Sequence, residues 1–135
     1  MTKYLFLYGN LIQRDPPDKE IARIVKRLHR VGTAFVRGRL YDFGDFPGAV
    51  VDPSSNSFVR GELVELPDDD NILHALDKYE EFDSANPRKS LFVRSKVEIK
   101  TADGRLIEGW IYVYNKNPGD PPLIRGGNYA RSKVA

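Results

Sequence analysis

The sequence contains no cysteine, only two histidines, and a single tryptophan and methionine. Without cysteine the chain forms no disulfide, offers no thiol nucleophile, and builds no thiolate zinc site or iron–sulfur cluster. His29 and His74 do not make the closely spaced pair that a histidine metal site uses, so no metal or cofactor is expected. An excess of either charge is missing too: 21 basic against 19 acidic residues leave a formal net charge of +2. That balance gives no electrostatic argument for nucleic acid. The one dense basic cluster, Lys26-Arg27-Leu28-His29-Arg30, sits where a helix should end, the end of the macrodipole that favours cations. No apolar run approaches the ~18 residues of a membrane span. The chain enters a strand-like run directly after Met1-Thr2-Lys3, with no signal-peptide pattern before it. A cytoplasmic protein without membrane partners is therefore expected.

What is present is the composition of a folded domain. Hydrophobic residues make up 41% and charged residues 30% of 135 residues, enough to bury a core. Residues 4–8 form an uncharged aromatic and aliphatic run that stops at Gly9-Asn10 and reads as a buried strand. Asp15-Pro16 reads as a helix start, Ile21, Ile24, Val25 and Leu28 share one helical face, and Gly32 reads as its stop. From residue 33 the texture turns to β. Gly44 and Pro47-Gly48 mark a turn, Ala49-Val50-Val51 a short strand, and residues 58–66 an alternating strand. Asp68, Asp69 and Asp70 suit the positive end of a second helix, with Ile72, Leu73, Leu76 and Tyr79 as its apolar stripe. A polar loop spans 83–90. Strands 91–100 and 106–114 flank the turn signal Asp103-Gly104. The pattern predicts one α+β domain over residues 1–135, with an antiparallel-rich sheet closed into a small barrel and two or more flanking helices. The Pro/Gly-rich tail, 117–135, could close over a pocket as a lid.

Two segments carry chemistry. The strand-to-turn segment Tyr8-Gly9-Asn10-Leu11 can present backbone N–H groups to a ligand, because glycine permits close approach. The helix end Leu76-Asp77-Lys78-Tyr79-Glu80-Glu81 offers a carboxylate. An amide-rich loop with one carboxylate can hold an oxyanion and move a proton, a minimal site for acyl transfer. Beside each stands a simpler reading: a strand-terminating turn, and a solvated helix residue. Asp42, Gly44 and Asp45 lie on a loop that could border the pocket, where Asp45 could meet a substrate ammonium. Arg94 could neutralise a substrate carboxylate or lie on the surface. Tyr112 and Tyr114 share a strand face; a hydroxyl there could orient Glu80.

Taken together these segments resemble the gamma-glutamylcyclotransferase-like family. Tyr8-Gly9-Asn10-Leu11 is similar to its Tyr-Gly-x-Leu loop, where Thr or Ser is usual at the third place. Residues 38–49, running from Gly38-Arg39-Leu40-Tyr41 to Pro47-Gly48-Ala49, resemble its glycine-leucine-tyrosine segment leading to a proline. Gly61-Glu62-Leu63, Phe92-Val93-Arg94, residues 110–114 and residues 124–129 resemble its later segments. Leu76-Asp77-Lys78-Tyr79-Glu80 is similar to the segment that carries the family's catalytic glutamate, which makes Glu80 the implied general base and acid. The resemblance implies release of 5-oxoproline from a gamma-glutamyl amine, dipeptide or conjugate, with no cofactor. It implies substrate contacts from Tyr8, Gly9, Asn10, Leu11, Asp45, Arg94 and Tyr114. The family commonly has glycine where Glu81 stands, so either the helix runs further in this chain or its end has another geometry. A binding protein that keeps the pocket without turnover is the alternative. A monomer or weak homodimer is expected, with a small-molecule gamma-glutamyl substrate as the partner and no nucleic acid.

Overall fold

The uncharged run Tyr4–Leu7 forms a strand covered on both faces. Phe6 belongs to one apolar cluster, and Leu5 and Leu7 to another. The computed structural model describes residues 3–8, 19–43, 47–68, 70–80, 82–83, 85–90, 92–115, 122–124 and 127. The order of elements is β1 (Lys3–Leu7), α1 (Lys19–Arg27), β2 (His29–Asp42), β3 (Pro47–Val51), β4 (Phe58–Leu66), α2 (Asp70–Tyr79), β5 (Phe92–Thr101) and β6 (Leu106–Tyr114).

The sheet order is β3-β2-β4-β1-β6-β5, and pairing of β2 with β5 closes it. Five strands therefore form a barrel and β3 adds a sixth on the edge of β2. The barrel is mixed, because β1 runs parallel to β6 while the other pairs are antiparallel. This is the small barrel that the alternating strands predict. Strand residues Phe6, Ala34, Val36, Leu63, Ile99 and Ile111 make one buried cluster. The second joins Leu5, Leu7 and Val64 to Ile21 and Val25 of α1 and Leu73 and Leu76 of α2. Both helices thus lie on the outside of the barrel, each by the apolar stripe its sequence carries.

Gly32 does not stop a helix. The first helix ends at Arg27, and Gly32 lies inside β2 with φ of +143°. The register against β4 shifts between Arg30 and Gly32. A β-bulge needs an extra residue and an unusual dihedral, which glycine supplies without strain. The long β2 then outlasts its partner β4, and residues 122–124 continue that edge. Asp42 N–H donates to Pro122 C=O at 2.9 Å, and Ile124 N–H to Leu40 C=O at 2.7 Å. Ile124 is buried in the barrel cluster. This part of the expected lid segment is therefore paired along the barrel wall.

Candidate active site

Glu80 is placed by the end of α2. Leu73 and Leu76 anchor the helix in the outer core. The Glu80 N–H still donates to Leu76 C=O at 2.9 Å, and the Phe82 N–H reaches back to Asp77 C=O at 2.8 Å. A bond of that span closes a helix end by satisfying a carbonyl that has lost its helical partner. The helix therefore does not run further. Glu80 sits half-buried in the turn that follows Tyr79, while Glu81 lies outside the described residues.

Asp77 stands one helical turn before Glu80 and is only 8% exposed. A carboxylate buried in an apolar stripe requires partners, and the sheet supplies two, Arg94 and Tyr112, with three hydrogen bonds. Arg94 Nε donates to Oδ1 at 2.9 Å and Nη2 to Oδ2 at 3.2 Å. The Tyr112 hydroxyl donates to Oδ1 at 2.6 Å. Arg94 also lies over the Trp110 ring, 4.3 Å from its centroid. Two of the guanidinium's nitrogens are thus engaged with Asp77.

Tyr8 follows β1 at the same end of the barrel. Its hydroxyl donates to the Tyr112 carbonyl and accepts the Ala49 N–H at 3.1 Å. This ties the end of β1 to β3 and β6. The pKa of this phenol is pushed well above its ordinary value, by burial first and the Glu80 carboxylate second, with the Ala49 N–H opposing them. Tyr112 is raised as well, by burial first and then by its bond to Asp77, with a further contribution from Glu80. Glu80 is therefore close enough to act electrostatically on both hydroxyls, and both stay protonated throughout the neutral range.

Tyr114 stacks on Phe43 at 4.3 Å and meets Phe92 edge-on at 5.8 Å. Gly48 allows that stack to lie against β3, since a Cβ there would come within 2.5 Å of Phe43 Cε2 and 3.1 Å of Tyr114 Cβ. Of the candidate residues, then, Tyr8 and Glu80 come together, and Arg94 is joined to the helix that carries Glu80. Tyr114 belongs to an aromatic wall with Phe43 and Phe92. Gly9, Asn10, Leu11 and Asp45 lie outside the described residues. Two cavities, of about 410 and 720 Å³, lie along β2 around Phe35 and Phe58 and are lined by none of the candidates. Among the described residues no three His, Asp or Glu side chains converge as a metal site requires, and no helix is long and apolar enough to cross a membrane.

Sequence reasoning singled out Glu80 but gave Asp77 no role. The signal was there: Asp77 falls four residues after Leu73 and next to Leu76, on the buried side of the helix. Ala49 and Phe43 carried no signal, because their part depends on what β3 and the end of β2 meet in space.

A family model described as gamma-glutamyl cyclotransferase, AIG2-like, matches residues 5–131. The chain belongs to this family. Solved structures share its fold. An AIG2-like protein from Mus musculus has a TM-score of 0.71 at 18% identity, over 95% of this chain and 88% of its own. YkqA from Bacillus subtilis has a TM-score of 0.71 at 20% identity over 98% of this chain, which spans 41% of YkqA. A gamma-glutamyl cyclotransferase has a TM-score of 0.65 at 16% identity, over 93% of this chain and 73% of its own. No curated protein matches the chain.

Proposed function

We propose that this member of the gamma-glutamyl cyclotransferase, AIG2-like family is a cytoplasmic enzyme that releases 5-oxoproline from a gamma-glutamyl amine, dipeptide or conjugate, with Glu80 moving the protons. The substrate's α-amine attacks its own γ-carbonyl carbon. A C–N bond forms to close the lactam, and the C–N bond to the leaving amine breaks. No electrons are transferred and no water is consumed. One group must take the proton from the attacking ammonium and return it to the departing nitrogen, and a partly buried carboxylate suits both steps.

The observation that carries this reading is the company Glu80 keeps. Two hydroxyls on which its charge acts, those of Tyr8 and Tyr112, are held protonated, with their protons donated to the Tyr112 carbonyl and to Asp77. That leaves Glu80 as the one carboxylate of the three, the kind of group that can take and return a proton in this reaction. In this reading Gly9, Asn10 and Leu11, which follow Tyr8 in the chain, would supply backbone N–H donors to the substrate carboxylate or the developing oxyanion. Because attack is intramolecular, holding the substrate folded supplies much of the acceleration. The aromatic wall of Phe43, Tyr114 and Phe92 would border the folded substrate.

The test is 5-oxoproline release from a panel of gamma-glutamyl amines, dipeptides and acyl conjugates. Release from one class identifies the leaving group. Binding of a gamma-glutamyl compound with no release from any class would overturn the reading in favour of a binding protein.

A further inference from the structure

Asp77 and Arg94 form an ion pair set into the wall on which Glu80 stands. The Tyr112 hydroxyl collects the relevant charges: it donates to Asp77 at 2.6 Å, Arg94 shares that same Oδ1 at 2.9 Å, and both the Asp77 and Glu80 carboxylates act on it. The Glu80 N–H keeps its helical bond to Leu76, so Asp77 and Glu80 are neighbours on one face of α2. Two like charges so placed would repel, and each would make the other harder to ionise. The guanidinium of Arg94 sits on Asp77 with two hydrogen bonds, which fixes its position as well as its charge.

Other described groups around Glu80 add little charge. The end of β1 leads to Tyr8, α2 brings Tyr79, and β6 brings Tyr112 and Tyr114, none of them a carboxylate or a cation. β3 brings Gly48 and Ala49 to this end. Lys78 of α2 is exposed, as are Lys19, Glu20, Arg23, Lys26 and Arg27 of α1, where water screens them. The Asp77–Arg94 pair is thus the buried charge nearest Glu80 among the described residues.

We propose that Asp77 and Arg94 are positioning residues: a charge-neutral brace that fixes the end of α2 against β5 and β6 and sets the pH at which Glu80 changes protonation. This rests on Glu80 being the acid–base group. The brace has two separable effects. The Arg94 charge offsets that of Asp77, and the bidentate geometry fixes the helix end from which Glu80 acts on Tyr8.

The experiment follows the Glu80 side-chain carboxyl by ¹³C NMR through a pH titration, its signal assigned by its disappearance in Glu80→Gln. In Arg94→Gln the bare Asp77 charge should raise the Glu80 midpoint. In Asp77→Asn the bare Arg94 charge should lower it. Each shift should be about one pH unit or more for a unit charge this close at an effective dielectric near 20. The double variant Asp77→Asn/Arg94→Gln should return the midpoint close to wild type. A purely structural role would not produce shifts of opposite sign that cancel. Shifts of the same sign, or none, would overturn the proposal.

The double variant leaves no unpaired buried charge and also serves where a single variant fails to fold. In it kcat for 5-oxoproline release should fall at least about tenfold with KM little changed, since a brace holds the base rather than the substrate; a KM that rises with kcat unchanged would overturn the brace in favour of Arg94 as a substrate contact. Arg94→Lys, which keeps the charge but not the fork, should hold the Glu80 midpoint yet recover only part of kcat. Undiminished kcat in the double variant would overturn the positioning role. The titration needs no turnover, so failure of the brace and failure of the cyclotransferase reading give different results.

Discussion

Arg94 grips Asp77 through two nitrogens, Nε at 2.9 Å from Oδ1 and Nη2 at 3.2 Å from Oδ2, across a sequence separation of 17 residues. The pair joins α2 to β5 beneath the turn that carries Glu80, with side chains only 15% and 11% exposed. Removing one partner leaves the other charged and buried. Asp77→Ala should therefore cost about 3–5 kcal/mol of stability, read from the urea midpoint at constant slope. A midpoint equal to wild type would show that the pair does not hold the helix.

The two raised tyrosines predict how stability depends on alkaline pH. A folded-state pKa above the unfolded one stabilises the fold fully below the unfolded value, and the contribution is lost as pH rises toward the folded value. Tyr8 and Tyr112 titrate near 10.0 when unfolded and well above that when folded. Stability should thus begin to fall above pH ~10, by up to about 1.4 kcal/mol per pH unit for each tyrosine. Tyr8→Phe should flatten that decline and lower stability at neutral pH by about 1–3 kcal/mol, through the unpaired Ala49 N–H and Tyr112 carbonyl. Urea unfolding at a series of alkaline pH values checks both; an equally steep decline in Tyr8→Phe would contradict the assignment.

Gly48 lies flat beneath the Phe43–Tyr114 stack. A methyl group at this position would stand 2.5 Å from Phe43 Cε2, so Gly48→Ala should displace the ring and cost about 1–3 kcal/mol of packing. On the proposed reading the stack borders the substrate, so KM should rise more than kcat falls. Steady-state kinetics with an intact fold by circular dichroism gives the result; unchanged KM would remove the stack from the substrate's surroundings.

Ile124 is 7% exposed and packs into the barrel cluster while its N–H holds Leu40. Ile124→Ala should cost about 2–5 kcal/mol. A thermal midpoint unchanged from wild type would show that this segment covers the barrel loosely rather than completing its wall.

These relationships were unevenly legible in the sequence. The Asp103-Gly104 hairpin, the apolar stripe of α2 and the buried run of β1 follow from local chemistry, and each appears where its signal stood. Gly32 misled, because a glycine after a helical stripe is an equally good stop signal and bulge residue. Only the pairing of β2 with β4 decides between them, and that is a long-range contact. Glu80 was visible through its resemblance to a known segment. Arg94 and Asp77 were each visible, but neither shows from sequence spacing that it faces the other, since an ion pair between a helix and a strand depends on how α2 docks.

The most direct test of the central claim compares wild type with Glu80→Gln on the gamma-glutamyl compound the panel identifies, measuring 5-oxoproline release and calorimetric binding on the same samples. Glutamine keeps the shape of Glu80 and removes its ability to carry a proton. Release should fall by about 10²–10⁴-fold while affinity stays within a few-fold of wild type. Release that persists at the wild-type rate in Glu80→Gln would contradict the account, because the proton would then be moved by another group.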